Sequence, residues 1–202
     1  MDRRNFLKNA LATGVVSAVG LWAYSPWRKA DAGKGLPLRP PGARKESEFI
    51  SRCIRCSRCV HACPNNAIFL LGDDFGSNRY LTPGIHARRQ ACMLCIGIKG
   101  DYLRCTAVCP SGALQRIRKD PEAIEKKVRM GTAEIDPALC YSYNNWTCGT
   151  CYRACPLPGK AMTLGLWERP EVHPEKCVGC GCCERACIRY PQAIRVKTGG
   201  VS

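Results

Sequence analysis

The sequence predicts a small, irregular α+β fold in which two ligand-held modules take over part of the work of an apolar core. Three observations lead there. The 202 residues contain 17 cysteines, all but one of them in four groups of four. Apolar content is 46% with the cysteines and about 38% without them, under the roughly 45–50% of ordinary domains. Each cysteine group is followed by a short apolar cadence suited to a strand of three to five residues. Residues 49–198 should form the domain, with 1–32 a leader and 33–48 a linker.

In the leader, Arg3 and Arg4 are followed by Asn5-Phe6-Leu7-Lys8, which resembles the twin-arginine export consensus. Ala10 to about Tyr24 is apolar but shorter than the roughly 18 to 20 residues of a spanning helix. Ala30-Asp31-Ala32 offers an A-x-A cleavage site. Cleavage is the favoured reading over a retained anchor or a basic N-terminal helix. In the linker, Pro40-Pro41 favours extended backbone.

The first group, Cys53, Cys56, Cys59 and Cys63, reads C-x2-C-x2-C-x3-C-P without interruption. This is the bacterial [4Fe–4S] ferredoxin spacing, in which three thiolates hold one cluster and the fourth reaches the cluster of a partner motif. The second group, Cys92, Cys95, Cys105 and Cys109, stretches its middle interval to nine residues. The third, Cys140, Cys148, Cys151 and Cys155, stretches its first interval to seven. The fourth, Cys177, Cys180, Cys183 and Cys187, is regular but ends in Ile188 instead of proline. Sixteen ligands predict four [4Fe–4S] clusters, with Cys182 spare as a buried filler. Ligation free energy is folding free energy in such domains, so the apo chain should be largely unfolded.

Strands are expected over Asn66–Leu70, Gly112–Arg116, Lys160–Leu164 and Gln192–Val196, each after a cluster helix. The lead-ins Asp136-Pro137-Ala138-Leu139-Cys140 and His173-Pro174-Glu175-Lys176-Cys177 repeat one another, so the chain is four half-units or two modules. Between groups, Pro121–Met130 opens with Pro and places acids ahead of bases, predicting a surface helix.

Other uses of cysteine fit less well. A disulfide scaffold does not require C-x3-C-P endings, and zinc ribbons use two pairs across a longer loop. None of the three histidines completes the C-x-x-C-H of haem attachment. His61 reads as an exposed helix residue, and Tyr141, Tyr143 and Trp146 as cover over a cluster. The formal charge of +15 suggests nucleic acid or an anionic surface, but sixteen thiolates and four oxidised cores reduce it to about +7, and loss of the leader to about +4. Nucleic acid is not an expected partner. No P-loop, dinucleotide fingerprint or nucleophile–base pair is present, so no catalytic site is expected.

The leader, the Leu38-Arg39-Pro40-Pro41-Gly42-Ala43 stretch, the order of regular and stretched groups, and Cys109-Pro110-Ser111-Gly112-Ala113-Leu114 together resemble the NapG/MauM family of ferredoxin-type proteins. The nine-residue interval after Cys95 departs from the four that family would imply. The resemblance implies an exported, periplasmic electron carrier beside a quinol-oxidising, NapH-like membrane protein, passing electrons toward a reductase or cytochrome. It would be membrane-associated through that partner or an uncleaved signal. The alternative is a permanently bound subunit of a molybdenum-type or other large oxidoreductase. Resemblance to four-cluster subunits also implies nested pairing. An outer module would join Cys53, Cys56 and Cys59 to Cys187, and Cys177, Cys180 and Cys183 to Cys63. An inner module would join Cys92, Cys95 and Cys105 to Cys155, and Cys140, Cys148 and Cys151 to Cys109. Pairing of neighbouring groups is the other scheme.

Overall fold

In the computed structural model, residues 36–198 are described; the leader, with Arg3 and Arg4, lies outside them. The first half of the described chain carries α1 (Glu46–Arg52), α2 (Arg58–His61), β1 (Ile68–Leu70), β2 (Pro83–Ile85), α3 (Arg104–Ala107) and α4 (Pro121–Lys127). The second carries β3 (Thr132–Ile135), α5 (Thr150–Arg153), β4 (Met162–Leu164), β5 (Pro170–Val172), α6 (Cys182–Ala186) and β6 (Ile194–Lys197). None of these helices is long and apolar enough to cross a membrane.

The strands pair locally, each half closing on itself. β1 lies antiparallel to β2 with Ile68 opposite Ile85, and β4 to β5 with Met162 opposite Val172. Within the second half β3 also pairs with β6, placing Ile135 opposite Ile194. The first half has the same plan in reduced form, because Ala43 bridges Leu114 where β3 and β6 would be. The strand expected over Gly112–Arg116 therefore shrinks to that bridge, flanked by Gln115 N–H to Gly42 C=O at 2.7 Å and Arg44 N–H to Ala113 C=O at 3.3 Å. Its partner runs out of donors, since Pro40 and Pro41 have no N–H and Gly42 turns away at φ +76°.

The linker expected over 33–48 is part of the fold from Leu38 onward. Leu38 bridges Ile85, and Pro40 and Pro41 are fully buried. Arg39 is buried as well. Its guanidinium donates to Glu46 (2.7 and 2.9 Å), to Thr82 Oγ1 (2.9 Å) and to Pro83 C=O (2.7 Å). A basic residue between prolines looks like linker; here its five donors tie α1 to the start of β2.

The larger apolar cluster is centred on the first half, where Phe49, Leu94, Leu103, Ile117 and Val128 are almost wholly enclosed, and takes in Val178, Cys180 and Cys182 from the second. Burial of each such side chain contributes about 1.5–3 kcal/mol. The second half buries a smaller set, Ala133, Met162, Cys183 and Ile194, and leans more on its ligands. α4 starts as its sequence demands, with Asp120 Oδ1 accepting from Ala123 N–H at 2.8 Å and Pro121 in the first turn. It stops at Lys127, short of the Met130 expected, because the extended chain beyond buries Val128 and Met130.

Candidate metal centre

Four cavities carry the sixteen cysteines, four to each. One is lined by Cys53, Cys56, Cys59 and Cys109, a second by Cys63, Cys92, Cys95 and Cys105. A third is lined by Cys140, Cys148, Cys151 and Cys187, and the fourth by Cys155, Cys177, Cys180 and Cys183. The largest, about 200 Å³, belongs to the second group with its nine-residue excursion. Cys182 lines none of them.

This grouping of side chains differs from the nested pairing. Cys109, not Cys187, joins Cys53, Cys56 and Cys59; Cys63 joins Cys92, Cys95 and Cys105, not Cys177, Cys180 and Cys183. Cys187 joins Cys140, Cys148 and Cys151, and Cys155 joins Cys177, Cys180 and Cys183. The cavity linings group the cysteines as two consecutive sets rather than an outer and an inner one. Strand pairing is the physical cause. β1 follows the first group and β2 precedes the second, so their short antiparallel pairing faces those groups toward one another, and β4 with β5 does the same for the third and fourth. The sequence signal was the short triplet that opens with proline and ends in a β-branched residue ahead of the next group, Pro83-Gly84-Ile85 and Pro170-Glu171-Val172, a ready partner for the preceding cadence.

The local backbone is shaped for anionic sulfur. Around the second cysteine of the regular groups, residues of positive φ alternate with one that is not: Arg55 and Ser57 flank Cys56, and Gly179 and Gly181 flank Cys180. Such alternation turns successive N–H groups into a concavity that favours negative charge. The cysteine after each short helix receives a backbone donor in three groups: Ala67 N–H to Cys63 Sγ at 3.3 Å, Leu114 N–H to Cys109 Sγ at 3.4 Å, and Ala193 N–H to Cys187 Sγ at 3.4 Å. At Cys109 burial favours the thiol, but the Leu114 N–H and the Ser111 hydroxyl outweigh it and hold the pKa below its ordinary 9.0.

The third cysteines show the opposite tendency. Burial, then the neighbouring Cys53, Cys109 and Cys56, pushes Cys59 up to about 11. Burial and Cys140 push Cys151 to about 12, and burial with Cys92, Cys95 and Cys63 raises Cys105 well above its ordinary value. Four crowded thiolates need positive charge among them, and a metal core reverses this local preference. Ser142 adds a further sign: its buried Oγ has no hydrogen-bond partner among the described residues, and the residue lines the cavity of Cys140, Cys148, Cys151 and Cys187. Thiolate donors, inward N–H groups and an unpartnered hydroxyl fit an iron–sulfur cluster, which when bound supplies a one-electron centre. The protein's own part is to hold the thiolates, donate hydrogen bonds to them and keep water out. Of the aromatic residues expected as cover, Tyr141 lines the third cavity and Tyr143 donates its hydroxyl to Pro170 C=O, whereas Trp146 is 70% exposed.

Comparison with known proteins agrees with this chemistry. A family described as 4Fe-4S dicluster domain matches residues 52–113, which run from beside Cys53 to just past Cys109. The ferredoxin-type protein NapG of Escherichia coli K12 is 37% identical over 96% of this chain and 84% of its own length. The methylamine utilization ferredoxin-type protein MauM of Methylorubrum extorquens is 36% identical over 96% and 88%. The ferredoxin-type protein NapF of E. coli K12 is more distant, at 26% over 80% of this chain. No solved structure matches. With more than a third of its residues shared along nearly its whole length, the chain belongs to the NapG/MauM family of ferredoxin-type iron–sulfur proteins.

Proposed function

We propose that the chain holds four [4Fe–4S] clusters and relays electrons, outside the cytoplasm, between a quinol-oxidising membrane protein of NapH type and a periplasmic reductase or cytochrome. The observation that carries the reading is the partition of sixteen cysteines into four cavities of four. The family supports electron transfer and an exported location. The cavities form a series. Each half contributes two, linked by the exchange of their fourth cysteines, and the halves meet where Cys92 faces Cys180. A connected series of one-electron centres is what a relay requires.

Twin-arginine export of the folded holo-protein, with cleavage after Ala32, completes the reading. Clusters are inserted before export, and Arg3-Arg4 heads a leader of the matching kind.

Anaerobically purified protein should contain close to sixteen iron and sixteen sulfide per chain. Iron for two clusters only, or stoichiometric zinc, would overturn the reading. Cys109→Ser separates the two pairing schemes: it should perturb the cluster spectrum shared with Cys53→Ser and leave that of Cys140→Ser unchanged.

A further inference from the structure

The two halves touch through their ligand loops. Cys92 N–H donates to Cys180 C=O at 2.9 Å, and these cysteines line different cavities. From the start of α6, two residues after Cys180, the Cys182 thiol donates to Cys92 C=O at 3.5 Å and lies 3.7 Å from Met93 Sδ. Cys92 is thus gripped on its N–H by Cys180 of the fourth group and on its C=O by the spare Cys182. Arg88, four residues earlier, reaches the end of α6 and donates to the carbonyls of Glu184 (3.1 Å), Arg185 (3.2 Å) and Cys187 (2.7 Å). Met130 N–H adds a bond to Val178 C=O at 3.1 Å.

Glycine makes this approach possible. A Cβ on Gly181 would stand 2.5 Å from Ala87 Cβ, and one on Gly179 only 2.3 Å from Gly131 N. The first group provides a control within the molecule: at the corresponding positions Arg55 and Ser57 take φ +56° and +59° without being glycine. The left-handed turn by itself therefore does not demand glycine, whereas the close passage of the two halves does.

We infer that electrons cross between the halves at the Cys92–Cys180 backbone hydrogen bond, a contact that Gly179, Gly181 and Cys182 keep closed. The inference rests on the four-cluster reading above. It gives Cys182, which lines none of the four cysteine cavities, a positioning role. In the step one electron leaves the reduced half and enters the oxidised half; each half serves the other as reductant or oxidant. No bond is made or broken and no proton crosses.

The test uses the full-length holo-protein, prepared anaerobically, with fewer than one electron per chain delivered by pulse radiolysis. The concentration-independent redistribution of that electron is followed optically and by freeze-quench EPR. Gly181→Ala and Cys182→Ala should each keep wild-type iron and sulfide while slowing redistribution by about tenfold or more. Cys182→Ser, which keeps a donor, should slow it less. Adding Ala87→Gly to Gly181→Ala should restore the rate by removing the clash, which relief of backbone strain alone would not do. Unchanged redistribution in both single variants would overturn the inference. So would loss of iron in Cys182→Ala, because the residue would then serve ligation. Failure of the four-cluster reading shows separately, as wild-type protein well short of sixteen iron.

Discussion

At the scale of single residues, Glu46 and Ser142 offer the sharpest tests. Burial raises the Glu46 pKa, but Arg39 and Arg79 outweigh it and hold the carboxyl below its ordinary 4.5. With Arg39 almost fully buried and Glu46 about a quarter exposed, removing the carboxylate leaves a buried guanidinium short of a partner. Glu46→Gln should cost about 2–3 kcal/mol at pH 7. A depressed carboxyl pKa stabilises the fold above the unfolded value and loses that contribution as pH falls through the folded one. The gap between wild type and Glu46→Gln, measured by anaerobic thermal unfolding, should therefore narrow as pH drops below about 4.5. Ser142 predicts a redox effect instead. If its hydroxyl donates to the cluster of Cys140, Cys148, Cys151 and Cys187, Ser142→Ala removes a bond that favours the more negative, reduced form. The potential of that centre should fall in an EPR-monitored titration while the other three stay in place.

Among the elements, α6 and α4 are held by contacts of different kinds. The last turn of α6 is capped from outside by Arg88, so Arg88→Ala should destabilise the second half by about 1.5–3 kcal/mol, read as faster cluster loss there during anaerobic unfolding. Asp120→Ala removes a local cap from α4 and should cost about 1 kcal/mol, without change in iron content. The start of α4 at Pro121 was legible in the sequence, as were β1, β4 and β6, because a helix-opening proline, cysteine spacing and apolar cadence are local signals; the Asp120 cap was not read there. The strand of 112–116 and the linker were not, because their outcome depends on each other: Ala43 meets Leu114 across a distance in sequence that no periodicity encodes. Arg39 was hidden for the same reason, its partners Thr82 and Pro83 lying more than forty positions away. The cavities' cysteine types were legible but not their partition, which follows from how β1 meets β2 and β4 meets β5.

For the whole molecule, ligation and folding should be one transition. Chelation of iron under anaerobic conditions should abolish the circular dichroism of the second half's strands before that of the first, since the second buries the smaller apolar cluster. Replacing Arg3 and Arg4 by Lys should leave holo-protein in the cytoplasm, as fractionation with iron analysis would show. The exposure of the first cavity has its own outcome. Cys56 is exposed among its ligands, and Ile54, which lines the same cavity, is 65% exposed. An opening through which a partner exchanges electrons also admits dioxygen and peroxide, so corrosion should start there. In air the cluster of Cys53, Cys56, Cys59 and Cys109 should bleach first, leaving a protein that is still folded in its interior yet already cut off from one of its two neighbours.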